Sequence, residues 1–316
     1  MTRRKDLLNL REVTATEIQA FLDTAQSFKE VVMRPVKKVP TLRGKSVATL
    51  FFEPSTRTRT SFEHAAKIMS ADTYSLAGNT SSAVKGESLK DTILTLDAMG
   101  IDAFIIRHPN SGAAELAARY VPNKPVINAG DGTHEHPTQG LLDLLTIRDV
   151  KGTLAGLKVA IVGDIAHSRV ARSNIWGLHH MGASVRLVGP STLIPADADQ
   201  LPAEIFTDLD AGIAGVDVVN ILRIQLERQD SAFFPSTREY ARLFGVNAAR
   251  LQGCATDVTV LHPGPMNRGI EIASDLADDH RYSVITQQVT NGVAIRMSVL
   301  FRLLSATVGL SEGAKS

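Results

Sequence analysis

The chain has 316 residues, of which 44% are hydrophobic and 21% charged, and its 34 basic and 33 acidic side chains leave a formal net charge of +1. This length exceeds what one hydrophobic core usually supports, so we expect two domains of ordinary size. The balanced charge provides no broad basic surface for nucleic acid. The composition therefore predicts a globular chain of two domains that does not bind nucleic acid.

The cysteine content and the first residues indicate a compartment. Cys254 is the only cysteine and cannot form an internal disulfide, so we interpret it as an inert side chain beside a strand, with a nucleophile as the alternative. The opening residues MTRRKDLLNL include basic side chains but no apolar stretch of signal-peptide or membrane-spanning length. We therefore expect a cytoplasmic protein that does not associate with a membrane.

Helices and strands are predicted to alternate in the first half of the chain. Thr14 and Glu17 have the spacing of a capping box, and apolar residues then recur on one helical face. The run SVATLFF at 46–52 is typical of a buried strand, and a helix follows the turn at Pro54. The next predicted elements are a helix from Ser88 to Gly100, a strand at 101–107, a helix at 111–120 and a strand at 125–129.

The second half repeats the alternation. Its short apolar runs KVAIVGD, SVRLVGP, VDVVNILR and VTVLHP suit parallel strands that are covered on both faces. The last helix, at 291–307, is too apolar to stand in water, so we expect it to pack back on the first domain. The predicted fold is α/β, with two domains that each hold a mostly parallel sheet flanked by helices. The predicted domains are residues 1–135, completed by 287–316, and residues 136–286.

The residues that follow the strands are the candidates for a site, because ligands of open parallel sheets bind outside the carboxyl ends of the strands. The first strand is followed by Glu-Pro-Ser-Thr-Arg-Thr-Arg-Thr at 53–60, where hydroxyl groups and Arg57 meet a helix start. A helix N-terminus favours anions, and an arginine can donate two parallel hydrogen bonds to a phosphate. The segment predicts an anion site, with ordinary N-capping and solvated arginines as the alternative.

Two further segments follow strands of the first half. Arg-His-Pro stands at 107–109, and a loop with two histidines runs from Gly130 into the helix that begins near Pro137. The proline closes this loop and no other His or Cys cluster has ligand spacing, so we predict no metal site. His136 and Gln139 are candidates for hydrogen bonds to a small polar ligand, and a structural histidine that caps the helix is the alternative.

Three segments follow strands of the second half. Gly-Asp-Ile-Ala-His-Ser-Arg at 163–169 takes the place of a dinucleotide fingerprint without its glycines, and no phosphate-binding P-loop motif occurs, so NAD and ATP are not expected. Arg169 and Arg172 either bind a ligand or decorate a helix. Arg223 and Gln225 lie on one side of an extended chain, and His-Pro-Gly-Pro at 262–265 ends another strand, with solvated strand-end residues as the alternative.

Seven segments, six of them described above, occur in the order typical of the carbamoyltransferase family, which the chain resembles over nearly its whole length. The segments are Phe-x-Glu-Pro-Ser-Thr-Arg-Thr-Arg at 51–59, Lys-Gly-Glu-Ser at 85–88, Arg-His-Pro at 107–109, His-Pro-Thr-Gln at 136–139, Gly-Asp with Ser-Arg at 163–169, Arg-x-Gln at 223–225 and His-Pro-Gly-Pro at 262–265. The resemblance implies transfer of a carbamoyl group from carbamoyl phosphate to L-aspartate, the second step of de novo pyrimidine biosynthesis. It implies neither a cofactor nor a metal.

The resemblance also implies a role for each site residue. Residues that would hold carbamoyl phosphate are Ser55, Thr56, Arg57, Thr58, Ser81, Arg107, His136, Gln139 and the backbone of Pro263, Gly264 and Pro265. Residues that would hold aspartate are Lys85, Arg169, Arg223 and Gln225, with Arg172 as an alternative to Arg169. Residues that would take part in the chemistry are Arg57, Thr58, Lys85, Arg107 and His136.

The family implies a homotrimer in which each active site borrows Ser81 and Lys85 from the neighbouring chain. Met-Asn-Arg-Gly at 266–269 resembles forms that associate with dihydroorotase, and a regulatory chain is the other higher assembly to expect. The nearest rival activity is ornithine carbamoyltransfer, which needs an acidic group for the second amine. Arg-x-Gln stands in the acceptor segment instead, and His-Pro-Gly-Pro replaces a cysteine-containing motif of that relative. A non-catalytic scaffold is the second alternative.

Overall fold

The computed structural model describes residues 4–77, 87–224 and 236–312. The chain forms two compact units by its internal contacts. Unit 1 comprises Met1–Leu141 and Thr290–Ser316, and unit 2 comprises Leu142–Val289. Each unit contains one parallel sheet with helices beside it, so the predicted α/β class is confirmed.

Unit 1 is built on a four-stranded parallel sheet with the strand order β2-β1-β3-β4. Buried aliphatic and aromatic side chains such as Leu50, Phe104 and Ile106 form its core with those of the adjacent helices. The elements that begin in this unit are α1 (Ala15–Met33), β1 (Ser46–Phe51), α2 (Thr56–Ile68), β2 (Asp72–Ala77), α3 (Leu89–Ala98), β3 (Ala103–His108), α4 (Ala113–Tyr120), β4 (Val126–Asp131) and α5 (Pro137–Lys151).

Local sequence explains where the first helices begin and end. At α1 the Thr14 hydroxyl accepts from the Glu17 N–H, and the Glu17 carboxylate accepts from the Thr14 N–H, which confirms the predicted capping box. At α3 the Ser88 hydroxyl accepts from the Asp91 N–H at 3.1 Å. Gly100 follows the last turn of α3 with φ of +87°, a conformation that favours glycine at a helix end.

Unit 2 is built on a five-stranded parallel sheet with the strand order β7-β6-β5-β8-β9. Its core joins strand side chains such as Val162, Val219 and Val260 to helix side chains such as Ile213 and Phe244. The elements that begin in this unit are β5 (Lys158–Val162), α6 (Arg169–His180), β6 (Ser184–Val188), β7 (Glu204–Phe206), α7 (Leu209–Ile213), β8 (Val218–Ile221), α8 (Thr237–Phe244), β9 (Thr259–Leu261), α9 (Ser274–Asp278) and α10 (Ile285–Glu312).

The last helix, α10, returns to unit 1 as predicted. The Ser298 hydroxyl donates to the Phe21 carbonyl of α1 at 2.7 Å, and the rings of Phe28 and Phe301 meet edge to face at 5.8 Å. The helix begins at Ile285, six residues before the predicted start, because the polar residues of its first turns hide the apolar pattern. Among them Gln288 is buried, and its side chain is hydrogen-bonded to the backbone of His262 and to Asp143. No helix in the described part of the chain combines the length and apolar character that a membrane crossing requires.

Two strands were absent from the sequence prediction, and both lie at a sheet edge. β2 is the outer strand of the unit 1 sheet, and β7 is the outer strand of the unit 2 sheet. Tyr74 of β2 is 51% exposed and Ile205 of β7 is 43% exposed, so neither strand has the continuous apolar run of a covered strand. Apolar runs therefore identified the buried strands, which include β4 and β9 at the opposite edges, and not these two partly exposed ones.

Candidate active site

Each sheet brings three of the candidate segments to one edge. In unit 1 the segments after β1, β3 and β4 follow neighbouring parallel strands. In unit 2 the same holds for the segments after β5, β8 and β9. Because the carboxyl ends of parallel neighbours lie at the same edge, segments far apart in sequence become adjacent within each unit.

The segment after β1 forms the N-terminus of α2. Ser55 is the N-cap residue by backbone conformation, but its side chain makes no capping hydrogen bond, so the alternative of ordinary capping by this hydroxyl is wrong. The first turn of α2 has no acidic residue, and Arg57 is exposed there while Thr58 is buried. Arg59 pairs with Glu63 along the helix at 3.8 Å. The positive end of the helix dipole thus stands beside hydroxyl groups and Arg57, a combination suited to an anion.

Arg107 is held between the ends of three strands. It belongs to β3, and its Nη2 lies 3.2 Å from Oε1 of Glu53, which follows β1. Its Nη1 donates to the carbonyl of Ala129 in β4 at 3.1 Å. The Arg107 side chain is only 11% exposed, so these contacts fix the direction of its guanidinium group.

The loop after β4 is organised around the buried carboxylate of Asp131, which is 1% exposed. This carboxylate accepts from the Gly112 N–H and from the Asn128 amide, each at 2.7 Å. It also accepts from the Glu135 N–H at 3.3 Å, and His134 Nδ1 lies 3.1 Å from it. The contacts hold the loop that leads into α5, a role for Asp131 that was not predicted from the sequence.

The two histidines of this loop have different positions and partners. His134 contacts Asp131, whereas His136 directly precedes α5, and its carbonyl accepts from the Gln139 N–H at 2.9 Å. His136 is 4% exposed and Gln139 is 8% exposed, so both lie within the unit rather than in solvent. Within residues 4–77, 87–224 and 236–312, no group of three or more His, Cys, Asp or Glu side chains is arranged to hold a metal ion.

The segment after β5 places Arg169 in the first turn of α6. The Ser168 hydroxyl caps this helix by accepting from the Ala171 N–H at 3.1 Å. Arg169 is 4% exposed, so the alternative of a solvated residue on a helix surface does not describe it, and Arg172 is half-buried. Before the helix, the buried carboxylate of Asp164 accepts from the His167 N–H at 3.1 Å and thereby holds the loop.

The segments after β8 and β9 are linked to each other. Arg223 is half-buried, and the carbonyl of its neighbour Ile224 accepts from the Asn267 side chain at 2.8 Å. Pro263 and Gly264 are half-buried and Pro265 is exposed, and the Gly264–Pro265 peptide bond is cis. Ser81, Lys85 and Gln225 lie outside the described residues.

Comparison with protein families gives two matches that together span most of the chain. Residues 5–149 match the model of the aspartate/ornithine carbamoyltransferase carbamoyl-P binding domain. Residues 155–303 match the model of the aspartate/ornithine carbamoyltransferase Asp/Orn binding domain.

Curated relatives and solved structures agree with these matches. The aspartate carbamoyltransferase catalytic subunit of Desulforamulus reducens is 60% identical over 301 residues, which cover 95% of this chain and 96% of that one. That of Heliobacterium modesticaldum is 58% identical, with 96% and 97% covered. A structure of aspartate transcarbamoylase from Trypanosoma cruzi with carbamoyl phosphate and aspartate has a TM-score of 0.86 at 29% identity, with 95% and 97% covered. Ornithine carbamoyltransferase from Pyrococcus furiosus has a TM-score of 0.85 at 29% identity, with the same coverage.

Proposed function

Because the chain belongs to the aspartate/ornithine carbamoyltransferase family, we infer that it transfers the carbamoyl group of carbamoyl phosphate to the amine of L-aspartate. The products are N-carbamoyl-L-aspartate and phosphate. Aspartate is favoured over ornithine because relatives at 54% to 60% identity are named for aspartate. The enzyme is a transferase of the carbamoyl group.

The observation that carries the choice of acceptor is the arrangement of arginines in unit 2. Arg169 follows β5 and Arg223 follows β8, and these strands are neighbours in the sheet. Two cations suit an acceptor with two carboxylates, and guanidinium groups bind carboxylates with paired hydrogen bonds. Ornithine would need a carboxylate for its second amine, but the Asp164 carboxylate of the same segment already contacts the backbone N–H and the Nδ1 of His167. Gln225 and Lys85 complete the proposed aspartate site, with Arg172 as the alternative to Arg169.

The proposed carbamoyl phosphate site in unit 1 uses the N-terminus of α2 for the phosphate. Ser55, Thr56 and Thr58 supply hydroxyl groups, and Arg57 supplies positive charge in a helical turn without acidic residues. Four further groups complete the proposed site: the side chains of Arg107, His136, Gln139 and Ser81. In unit 2, the backbone carbonyls of Pro263, Gly264 and Pro265 are proposed to accept from the carbamoyl NH₂ group.

The chemistry follows from these groups. The neutral amine of aspartate attacks the carbamoyl carbon, and negative charge develops on the carbonyl oxygen. Arg107, His136 and Thr58 are the proposed donors to that oxygen, and removal of one such donor typically lowers kcat by about 10² to 10³. The bond between the carbonyl carbon and the phosphate oxygen then breaks, one proton of the amine passes to the departing phosphate, and Arg57 meets the negative charge of that leaving group. The rate gain comes mainly from holding two anions in a reactive orientation, with Lys85 proposed to lie near both.

The domain roles extend this proposal. Residues 1–135 with 287–316 are proposed to bind carbamoyl phosphate, and residues 136–286 are proposed to bind aspartate. The compact units divide the chain near these boundaries, after Leu141 and after Val289. The proposed setting is the cytoplasm, where the reaction is the second step of de novo pyrimidine biosynthesis.

The test of the activity is an assay for the ureido product with aspartate and, separately, with ornithine. We expect product from aspartate alone, with Arg57→Ala reducing kcat/KM by at least about 10²-fold, since it removes a cation from the leaving group. Arg119→Ala is the matched control, because Arg119 is an exposed arginine of the same unit that pairs with Glu115. Faster turnover of ornithine would refute the assignment. Carbamoyl phosphate binding without any turnover would favour the scaffold alternative.

The proposed assembly is a homotrimer in which each site takes Ser81 and Lys85 from the neighbouring chain. Trimers that mix a Lys85→Ala chain with an Arg57→Ala chain then regain activity, because one chain keeps its own Arg57 and receives an intact Lys85. If the mixture stays as inactive as its components, the sites are not shared.

A higher assembly with dihydroorotase is proposed from residues 266–269, and co-purification under mild conditions tests it against assembly with a regulatory chain.

A further inference from the structure

A buried histidine and a buried carboxylate lie directly behind the loop after β9. His262 Nε2 is 3.1 Å from Glu271 Oε1, and both side chains are 0% exposed. Neither side chain has a part in the chemistry proposed above. A polar pair with no access to solvent is costly unless its hydrogen bonds are satisfied, so its contacts indicate what the pair does.

The contacts fix the tautomer of His262. The Gly264 N–H donates to His262 Nδ1 at 2.8 Å, so Nδ1 carries a lone pair rather than a proton. A neutral imidazole then has its proton on Nε2, which donates to the Glu271 carboxylate. The Asn267 N–H donates to the same carboxylate oxygen at 2.6 Å. The histidine thus holds the loop at Gly264, and the carboxylate holds it at Asn267.

The pair is joined to other elements of unit 2 by further hydrogen bonds. The backbone N–H of His262 donates to the side-chain oxygen of Gln288 in α10 at 2.9 Å. The side-chain NH₂ group of Gln288 in turn donates to the Asp143 carboxylate of α5 at 2.7 Å. On the other side, the Asn267 amide donates to the carbonyl of Ile224 at 2.8 Å. The loop after β9 is therefore connected to two helices and to the segment after β8.

This loop needs such support to keep its shape. Gly264 has φ of +61°, in the region that favours glycine, and glycine restricts the backbone less than any other residue. Proline fixes its own φ, so the direction of the carbonyl groups at 263–265 depends mainly on the backbone at Gly264 and on the hydrogen bonds that hold the loop. The His262 imidazole and the Glu271 carboxylate supply two of these bonds.

We propose that His262 and Glu271 are positioning residues, which orient the loop carbonyls toward the carbamoyl group and, through Asn267, the segment that carries Arg223. The inference rests on the proposed function. A misplacement of about 1 Å in such a site can lower the rate by about 10²-fold, which sets the expected size of the effect.

The first test compares two substitutions of Glu271 in the full chain. Glu271→Gln keeps an oxygen that accepts from His262 and Asn267, so we expect kcat/KM close to the wild-type value. Glu271→Ala leaves both donors without an acceptor, and we expect kcat/KM to fall by about 10²-fold. Ile213→Val is the control, because it removes a methylene from the unit 2 core far from the loop in sequence and should leave the kinetics unchanged. Equal kcat/KM for the Gln and Ala variants would overturn the proposal.

The second test examines the link from Asn267 to the Arg223 segment separately from the contacts at Gly264. Asn267→Ala removes only the side-chain bond to Ile224, so we expect a raised KM for aspartate while the KM for carbamoyl phosphate stays near wild type. Unchanged kinetics in this variant would refute the link to the Arg223 segment. Because the change is mild, the variant keeps the proposal testable even if Glu271→Ala does not fold.

A spectroscopic test does not depend on turnover. The chain has nine histidines, and comparison of ¹⁵N-histidine spectra of the wild type and His262→Gln assigns the His262 signals. We expect an unprotonated Nδ1 and a protonated Nε2 near neutral pH, and any other protonation state would refute the arrangement. If the wild type made no ureido product, the proposed function would fail while this measurement still decided the geometry. If the wild type were active and Glu271→Ala equally so, only the positioning role would fail.

Discussion

The buried carboxylate of Asp131 allows a quantitative prediction for Asp131→Asn. The substitution turns one carboxylate oxygen into an NH₂ group, and the least damaging orientation sets this group against the Gly112 N–H. The short bond to Gly112 is then lost, and the bond from Asn128 is to a neutral acceptor. A hydrogen bond to a charged group contributes about 1.5–3 kcal/mol and a neutral one about 1 kcal/mol, so we expect a loss of about 3 kcal/mol.

Thermal unfolding of the purified variant measures this loss. For a domain of this size, about 3 kcal/mol corresponds to a Tm lower by about 6–12 °C. Glu115→Gln is the matched control, because it also neutralises a carboxylate of unit 1, but in an exposed pair with Arg119 that is worth about 0.5 kcal/mol. If Asp131→Asn melted within a degree of the control, the carboxylate would not hold the loop, and the role we assign to it would be wrong.

Two further predictions concern titratable groups. Burial raises the pKa of Asp102, but the Ser46 N–H and the Lys45 ammonium outweigh it and hold that pKa below its ordinary value. The stabilisation is therefore complete above the ordinary pKa of about 4 and is lost as the pH falls through the lower folded-state pKa, so Asp102→Asn should flatten acid unfolding in that window. Burial also raises the pKa of Cys254 to about 11, so a thiol reagent at pH 8 should label this cysteine slowly in the folded chain and rapidly after denaturation.

One experimental result would contradict each of these two predictions. An acid-unfolding curve that is unchanged by Asp102→Asn would show that the contacts with Ser46 and Lys45 do not stabilise the folded state. Labelling of Cys254 at the same rate before and after denaturation would contradict its interpretation as an inert side chain.

Local sequence was sufficient where the physical cause was local. The capping pair Thr14 and Glu17 is three residues apart, and the buried strands, including β4 and β9 at sheet edges, carry continuous apolar runs that only a covered strand can bury. The outer strands β2 and β7 lacked that signal because solvent reaches part of their surface. Helix α10 was predicted too short because Gln288 is buried with partners from the segment after β9 and from α5, which its neighbours in sequence do not reveal.

The candidate site likewise has residues that local sequence indicates and residues that it does not. Motifs at strand ends made Arg57, Arg107, His136 and Arg169 candidates for the site, because the order of segments along the chain is itself informative. The buried carboxylates of Asp131 and Glu135 were not predicted to hold loops, because each accepts from a donor that is distant in sequence, Gly112 and Leu10 respectively. Glu135, for example, accepts from the N–H of Leu10 at 2.7 Å across 125 residues. A short segment around Glu135 gives no sign that its side chain holds the start of the chain.

The composition of unit 1 from two separate stretches has a consequence for synthesis on the ribosome. Unit 2 is one continuous stretch of the chain, but unit 1 cannot complete its core until residues 290–312 have been made. Until then, the α1 surface that receives Ser298 and Phe301 has no cover. The nascent chain therefore exposes apolar surface near its beginning until its end emerges, and during that interval it is most open to aggregation and to capture by chaperones.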